Sequence, residues 1–332
     1  MKFSFQILFL MLYLSIHAQQ SGASTSDYQL SFNAGQNALH IPSEGETLTA
    51  TLFLPEDYEM GTAVPVMIVD GPWTQVKEQV GYTYARVFSE LGMAALAFDH
   101  RFWGESSGTP RSLESTRAKQ TDLTRVIDYL SALPAVDPSA IYLLGVCAGA
   151  GTAAGVVAND DRLAGFATIA AWLQHPSTTP LFYGGIEGVE QLIEQSDQAQ
   201  NRYESTGQMP YVAAYDPAEG SGAAMNFPSD YYGMESRGAV SYWTNQFAIA
   251  SWREWLTFNA IDGVAEAIDI PTIMVHSDQS ALPDNVRKFY DRLPGKKRLV
   301  WGVGQHTDFY DQPTQVHHAV DEILNFFNAN LN

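Results

Sequence analysis

The chain has a single cysteine, Cys147, and few basic side chains. Without a second cysteine no disulfide forms within the chain, so a disulfide framework of the kind found in small secreted domains is excluded. Only 18 Lys and Arg residues stand against 37 Asp and Glu, which gives a formal net charge of −19. We therefore exclude nucleic-acid binding and binding to anionic membranes, both of which need basic surface, and attribute the acidity to solubility.

Long apolar runs are absent beyond the N-terminus, so we predict no later transmembrane segment. At the N-terminus, Lys2 precedes an apolar run from Phe3 to Leu14 that is too short to span a bilayer, and Ala18 ends a plausible cleavage site. We predict a cleavable signal peptide over residues 1–18, with an uncleaved anchor as the alternative. The mature protein, residues 19–332, is then secreted or periplasmic and not membrane-bound.

Internal repeats and low-complexity linkers are also missing, and a composition with 45% hydrophobic residues is globular. Apolar strand-like runs alternate with helical periodicity, which predicts an α/β protein with a buried, mostly parallel sheet and helices on both faces. The predicted strands are 64–69, 94–98, 141–144, 166–170, 272–275 and 298–301. An amphipathic helix is predicted around Leu123 to Leu133, and another around Val316 to Phe327, with Asp311 as its cap.

Two regions depart from this alternation. Residues 28–56 have short alternating runs around Gly35 and Gly45, which predicts an antiparallel hairpin at the sheet edge. Residues 172–262 lack the alternation and are rich in aromatic side chains. A long insertion of this kind is typical of a lid or a binding wall, and extra core packing is the alternative.

Cys147 lies in the run from Gly145 to Gly151, after the strand-like residues 141–144 and before a stretch of small residues. This is the layout of a nucleophile elbow, G-x-nucleophile-x-G, with cysteine where serine is usual. The turn is so sharp that the positions two before and two after the nucleophile need glycine. The layout predicts that Cys147 points out of the top of the sheet at a helix N-terminus, which favours a thiolate.

A free cysteine is more often a small buried hydrophobe than a reactive group. An unpaired cysteine in an exported chain, however, suggests a reactive thiol. With the glycine frame around it, we interpret Cys147 as a nucleophile.

A cysteine nucleophile needs a base and an acid that orients the base, in the chain order nucleophile, acid, histidine. His306 is the predicted base, because it lies in a glycine-flanked loop between the last strand and the last helix. Asp278 is the predicted acid, because it follows the preceding strand directly; its alternative role is to cap a turn, and Asp284 lies further along. Asp308 and Asp311 are better placed to fix the loop of His306.

An oxyanion hole needs two backbone N–H groups. Ala148, directly after Cys147, is one predicted donor. The second comes from the loop after strand 64–69, where Pro72 has no N–H. Trp73 is therefore the second predicted donor, with Thr74 as the alternative. The histidines do not have the spacing of a metal site, so we predict no metal and no cofactor.

Three segments carry a resemblance to a known family. Phe98 to Ser106 is similar to the segment D-x-R-G-x-G-x-S, Trp73 to Glu78 resembles the loop after the first core strand, and His306 to Asp311 is similar to H-x-D-x-Y-D. Over residues 46–328 the chain resembles the α/β-hydrolase superfamily, and within it the dienelactone-hydrolase-like branch, in which a cysteine nucleophile also occurs.

The chain departs from that family at three places. Asp70 replaces the usual histidine before Gly71, Phe102 stands where glycine is common, and the G-x-x-D-x-x-x-P segment around Asp278 is shortened. The resemblance implies an α/β-hydrolase fold and an exported hydrolase that cleaves an ester, lactone or thioester of a small-molecule acyl substrate. An acyltransferase with the same residues, and a non-catalytic binding or redox-sensing protein on this fold, are the alternatives. The oligomeric state stays open.

Overall fold

The computed structural model of the chain describes residues 31–330. The predicted signal peptide over residues 1–18 lies outside the described residues. Within them, none of the helices combines the length and the apolar composition that crossing a membrane requires.

An eight-stranded sheet forms the centre of the described chain. The order across it is β1-β2-β4-β3-β5-β6-β9-β10. β1 and β2 form an antiparallel hairpin at one edge, β2 pairs antiparallel with β4, and the other neighbours are parallel. The strands are β1 (Gly35–Ser43), β2 (Glu46–Leu54), β3 (Val64–Asp70), β4 (Ala94–Phe98), β5 (Val136–Val146), β6 (Leu163–Ile169), β7 (Tyr211–Ala213), β8 (Gln246–Ala248), β9 (Thr272–Gln279) and β10 (Lys297–Gln305). The predicted mostly parallel sheet with an edge hairpin is confirmed.

Helices cover both faces of this sheet. They are α1 (Tyr82–Glu90), α2 (Thr116–Ser131), α3 (Gly149–Val157), α4 (Gly185–Thr206), α5 (Asp230–Gly233), α6 (Trp252–Thr257), α7 (Pro283–Arg292), α8 (Asp308–Asp311) and α9 (Pro313–Asn328). Alternate strand residues such as Met67, Val69 and Leu144 share one apolar cluster with α1 and α9. The residues between them point to the opposite face, where α2 and α3 pack, because side chains alternate along a strand.

The apolar pattern of the sequence explains these elements. All five residues of β4 are buried, as expected for a strand covered on both faces. On α2, Leu123, Val126, Ile127 and Leu130 are buried at helical spacing. The Ser115 side chain accepts the Ala118 N–H and caps the start of α2.

Several predicted boundaries differ from the structure, among them those of β5, β6, β9, β10 and the final helix. β5 begins at Val136, five residues before the predicted start, because β3 extends to Val64 and pairs with Val136. α9 begins at Pro313 with Gln312 at its N-cap. Asp311 does not cap α9, because its carboxylate pairs with Arg237.

Residues 172–262 contain α4, α5, α6 and a separate two-stranded sheet of β7 and β8. About half of their aromatic side chains are buried, including Tyr231, Trp252 and Trp255, whereas Phe182, Tyr211, Phe227 and Tyr242 are exposed. Some of these side chains also line a cavity, described below, so core packing and wall formation occur together. The assignment of this segment as a lid stays a prediction.

Candidate active site

Cys147 lies in the sharp turn between β5 and α3. Its backbone has φ of 55°, a left-handed value that costs a non-glycine residue roughly 1–3 kcal/mol. A Cβ at Gly145 would clash with the backbone of Ala150, and a Cβ at Gly149 would lie 2.5 Å from the carbonyl oxygens of Asp70 and Gly71. Glycine is therefore required on both sides of Cys147, as the elbow layout predicts.

The thiol of Cys147 is 7% exposed. Burial raises its pKa to about 11, although hydrogen bonds from the Tyr310 hydroxyl and from the backbone N–H groups of Ala148 and Trp73 act in the opposite direction. The expectation that the helix N-terminus favours a thiolate is therefore corrected: desolvation outweighs these donors, and the thiol is protonated at neutral pH. The N–H groups of Ala148 and Trp73, the two predicted oxyanion donors, both act on the sulfur, and their role toward a substrate oxygen stays a prediction.

The loop that carries Trp73 is held by its neighbour. Thr74 has φ of 62°; its N–H donates to the Glu114 carboxylate over 3.2 Å, and its carbonyl accepts the Trp243 indole N–H over 2.8 Å. Because the Thr74 N–H is already bonded, the free donor is the N–H of Trp73. Glu114 is buried and pairs with Lys119, so the anchor of this loop is charged.

A second buried ionic group lies where β3 and β4 end. His100 Nε2 is 2.9 Å from Asp70 Oδ1, and His100 Nδ1 is 3.4 Å from Asp122 Oδ2. Burial lowers the pKa of His100, but the two carboxylates outweigh it and the pKa is raised. Asp70 ends β3 and stands where the resembled family has histidine. Its contact with His100 ties the end of β3, which leads to Trp73, to the end of the neighbouring strand β4.

His306 follows β10 and lines the same cavity as Cys147. Its Nδ1 accepts the backbone N–H of Ala281 over 3.2 Å, so the neutral ring carries its hydrogen on Nε2. Burial, together with a smaller effect of the nearby His276, lowers the pKa of His306 to about 3. Asp308 fixes the loop as predicted, because its carboxylate accepts the Gln305 N–H over 2.7 Å.

Asp278 does not reach His306 in this structure. Its side chain is 73% exposed and pairs with Arg287 of α7 at 2.7 Å. The positions that face His306 are Ser280 and Ala281, which have no carboxylate. Within residues 31–330 no carboxylate bonds the ring of His306, so the predicted acid is corrected: Asp278 turns toward α7 because Arg287 offers it an exposed partner.

Tyr310 is a site residue to which no role was assigned from the sequence. It belongs to the H-x-D-x-Y-D segment, and its hydroxyl hydrogen-bonds the Cys147 thiol and the Tyr232 hydroxyl. Its ring centroid lies 5.4 Å from that of His306. Its contact with Cys147 joins segments that are distant in the chain, so the sequence offers no local signal for it.

A cavity of about 360 Å³ opens in front of Cys147. This volume lies near the lower end of the roughly 300–1,000 Å³ that small-molecule sites occupy. Its lining residues come from the loop at Trp73, the elbow, the loops of Ala281 and His306, and the segment 172–262. The members from that segment are Trp172, Phe182, Tyr183, Ala224, Met225, Asn226, Phe227, Tyr232 and Trp255.

One group of carboxylates has the spacing of a metal site within the described chain. It consists of Glu78, Asp99 and Glu105. The ammonium group of Lys77 lies among them, 2.7, 2.9 and 2.6 Å from their oxygens. This buried cation offsets part of the negative charge of the cluster and occupies the place that a metal ion would need.

Comparison with known proteins adds a family. A model of the family described as "X-Pro dipeptidyl-peptidase (S15 family)" matches residues 44–308. The solved structure of hypothetical protein PA2218 from Pseudomonas aeruginosa is similar, with a TM-score of 0.77 and 26% identity over 90% of this chain and 95% of that one. The α/β-hydrolase fold is shared with this structure and with others.

Two fungal relatives have more specific names. Polyketide transferase claH of Penicillium crustosum is 23% identical over 79% of this chain and 86% of its own length. Thiohydrolase aneE of Aspergillus aculeatus is 34% identical over a shorter part, 30% of this chain and 31% of its own.

Proposed function

The chain belongs to the family described as X-Pro dipeptidyl-peptidase (S15 family), and on that premise we propose that it is an exported hydrolase that forms an acyl-enzyme at Cys147. The proposed substrates are acyl thioesters, esters or lactones. The observation that carries the proposal is the Cys147 sulfur beside the N–H groups of Trp73 and Ala148, on the wall of a cavity that His306 also lines.

A thioester is the substrate favoured over a peptide. An amine is a poor leaving group and has to be protonated by an imidazolium that a carboxylate stabilises, as in the triads of peptidases. His306 has no such carboxylate among the described residues. A thiolate leaves without that help, because its pKa is about 8.5. The names of two relatives, a thiohydrolase and a polyketide transferase, support the same choice.

In the proposed reaction, the Cys147 sulfur attacks the acyl carbon, and the N–H groups of Trp73 and Ala148 bind the oxygen that becomes negative. The hydrogen of the thiol ends on the leaving group, and His306 carries it, since the ring is neutral at neutral pH. To accept the thiol proton at Nε2, the neutral ring of His306 first changes tautomer: its hydrogen moves from Nε2 to Nδ1 through solvent, and Nδ1 releases the Ala281 N–H. Water then attacks the acyl-enzyme, which releases the acid and restores the thiol.

Acyl transfer to an alcohol or amine is a second candidate. The lining of the cavity is dominated by aromatic and apolar side chains. Such a lining excludes water, so that an apolar alcohol or amine can compete with water for the acyl-enzyme. Adding a hydrophobic alcohol or amine to the reaction separates the two outcomes. An ester or amide product at the expense of the free acid supports transfer, and free acid alone supports hydrolysis.

Turnover of N-acetylcysteamine thioesters tests the proposal, with released thiol as the readout. We expect Cys147→Ala to abolish turnover and His306→Asn to slow it at least tenfold. His318→Asn, the same change at an exposed histidine on α9, is the matched control and should leave turnover unchanged.

Asp278→Asn decides between the geometry and the triad predicted from sequence. We expect this variant to retain turnover, because the carboxylate bonds Arg287 rather than His306. Loss of turnover comparable to that of His306→Asn would show that Asp278 serves His306 after all. Absence of turnover in the unmodified protein with every thioester, ester and lactone would refute the proposed function.

A further inference from the structure

We infer that the site accepts a flat, uncharged acyl group and rejects charged ones, including X-Pro dipeptides with a free amino terminus. This inference rests on the proposed function and names its substrate class. It stands on the chemistry of the cavity lining and on the arrangement of three indole rings beside Cys147.

The side chains that line the cavity offer no opposite charge to a charged ligand. Among the described residues that line it, none is Asp, Glu, Lys or Arg. His306 is neutral at neutral pH, because burial lowers its pKa to about 3. An ammonium or carboxylate group that enters a poorly hydrated site without an opposite charge or a full set of hydrogen bonds loses its solvation, which weakens binding strongly. The free amino terminus of a dipeptide therefore has no place here.

Three tryptophans form one side of the cavity and begin next to the reacting atom. The backbone N–H of Trp73 bonds the Cys147 sulfur. The indole ring of Trp73 stacks on that of Trp255, with ring centroids 4.8 Å apart and an angle of 28° between the ring planes. Trp255 is followed by Trp172 at 6.2 Å and 34°. A planar group attached to the acyl carbon at Cys147 can pack parallel to this run, since aromatic rings prefer offset stacking.

Two of the three indoles, those of Trp255 and Trp172, are held by hydrogen bonds of their N–H groups, whereas the Trp73 indole N–H is buried without a partner among the described residues. The Trp255 N–H donates to the Tyr183 hydroxyl over 2.7 Å, and the Trp172 N–H donates to the Gln174 side chain over 2.6 Å. Gln174 in turn donates to the Trp255 carbonyl over 3.1 Å. The polar edges of both rings are thus occupied, and only apolar ring surface is left for a ligand. A site fixed in this way loses little conformational entropy on binding.

The cavity residues that reach solvent include two aromatic side chains beside the polar Asn226 and Gln279. Phe182 is 48% and Phe227 is 42% exposed, and both line the cavity. Exposed aromatic side chains at a cavity are typical of the entry for an apolar ligand. The acyl group therefore meets aromatic surface from the solvent edge to Cys147.

A matched set of N-acetylcysteamine thioesters tests the inference, with the rate constant for acylation of Cys147 as the readout. The acyl groups are 2-naphthoyl, its saturated decahydro analogue, 6-carboxy-2-naphthoyl and glycyl-prolyl. We expect 2-naphthoyl to react roughly two- to twelvefold faster than the saturated analogue, the range given by aromatic stacking. It should react more than about a hundredfold faster than the two charged compounds, because their charges are left unpaired.

Two tryptophan variants localise the effect. Trp172→Leu should lower the naphthoyl-to-decahydronaphthoyl ratio toward one. Trp301→Leu makes the same change on β10, outside the cavity lining, and should preserve the ratio. Equal or faster acylation by the saturated or charged compounds would overturn the inference, as would an unchanged ratio in Trp172→Leu.

Failure of the inference is distinguishable from failure of the proposed function. Acylation by an acetyl thioester without preference for naphthoyl overturns the substrate class and leaves the proposed function standing. If no thioester acylates the protein, the preference of the cavity for uncharged ligands is tested separately. Tryptophan fluorescence then measures how tightly 2-naphthamide and its 6-carboxylate bind to Cys147→Ala. Tighter binding of the uncharged compound supports the inference, and equal or weaker binding overturns it.

Discussion

Burial and hydrogen bonds shift the pKa of Cys147 in opposite directions, and burial has the larger effect. Its pKa is raised to about 11, while Tyr310 and the N–H groups of Ala148 and Trp73 act to lower it. Since only the thiolate is a strong nucleophile, little of the reactive form exists at pH 7 in the unliganded protein. The thiol therefore has to lose its proton in the course of the reaction, and in the proposed mechanism His306 accepts it.

The pH dependence of alkylation by iodoacetamide measures this directly. Because the pKa is raised, the rate should still increase about tenfold per pH unit above pH 8.5, where an ordinary cysteine levels off. We expect the half-maximal rate near pH 11. Tyr310→Phe removes a hydrogen bond that lowers the pKa and should move the profile further up. A plateau below pH 8 in the unmodified protein would contradict this account.

The sequence was informative for residues whose position depends on the local chain. The glycines on both sides place Cys147, and with it the Ala148 N–H, so the elbow could be predicted. Trp73 followed from the missing N–H of Pro72. Asp278 could not be placed, because the direction of its side chain depends on Arg287 of α7. Tyr310 had no local signal either, since its contact with Cys147 joins segments that are distant in the chain.

At the scale of elements, the turn between β5 and α3 packs directly on the end of β3. Gly149 approaches the carbonyl groups of Asp70 and Gly71 so closely that a Cβ would lie 2.5 Å from both oxygens. These residues begin the loop that carries Trp73. A side chain at position 149 therefore pushes apart the two segments that supply the oxyanion donors.

Gly149→Ala should reduce thioester turnover at least tenfold, because displacing one donor of an oxyanion hole costs about 10²–10³ in rate. Gly233→Ala is the matched control, since a Cβ there meets no atom within 4 Å and the backbone has no positive φ. Turnover by Gly149→Ala equal to that of Gly233→Ala would show that the close approach does not position the loop.

The pattern of apolar residues predicted the strands of the sheet and the helices α2 and α9, because each of them buries a regular face. It could not predict the path of residues 172–262. Their aromatic side chains pack both into the core and along the cavity, as Tyr231 and Trp172 show. A pattern of apolar residues does not distinguish the core from the cavity lining, so the residues of this segment that line the cavity could be identified only from the structure.

For the whole molecule, buried histidines link stability to pH. His276 is fully buried in β9, and burial lowers its pKa from 6.5 to about 4. As the pH falls through 6.5, the unfolded chain binds a proton that the folded chain does not, so folding stability decreases. Above pH 6.5 both states are neutral and His276 makes no pH-dependent contribution.

Urea denaturation at pH 7 and pH 5 checks this link. His276→Leu removes the titrating group, and the loss in unfolding free energy between the two pH values should be about 2 kcal/mol smaller than in the unmodified protein. His318→Leu, at an exposed position, serves as the control and should lose as much as the unmodified protein. Parallel losses in all three proteins would contradict the buried, neutral state of His276.

The central claim is that Cys147 forms an acyl-enzyme within this fold. Mass spectrometry of the protein after incubation with 2-naphthoyl N-acetylcysteamine thioester, followed by peptide mapping, tests it most directly. We predict one added naphthoyl group on the peptide that contains Cys147, absent in Cys147→Ala and formed more slowly in His306→Asn. An unmodified peptide in the unaltered protein, or an adduct that persists in Cys147→Ala, would contradict the claim.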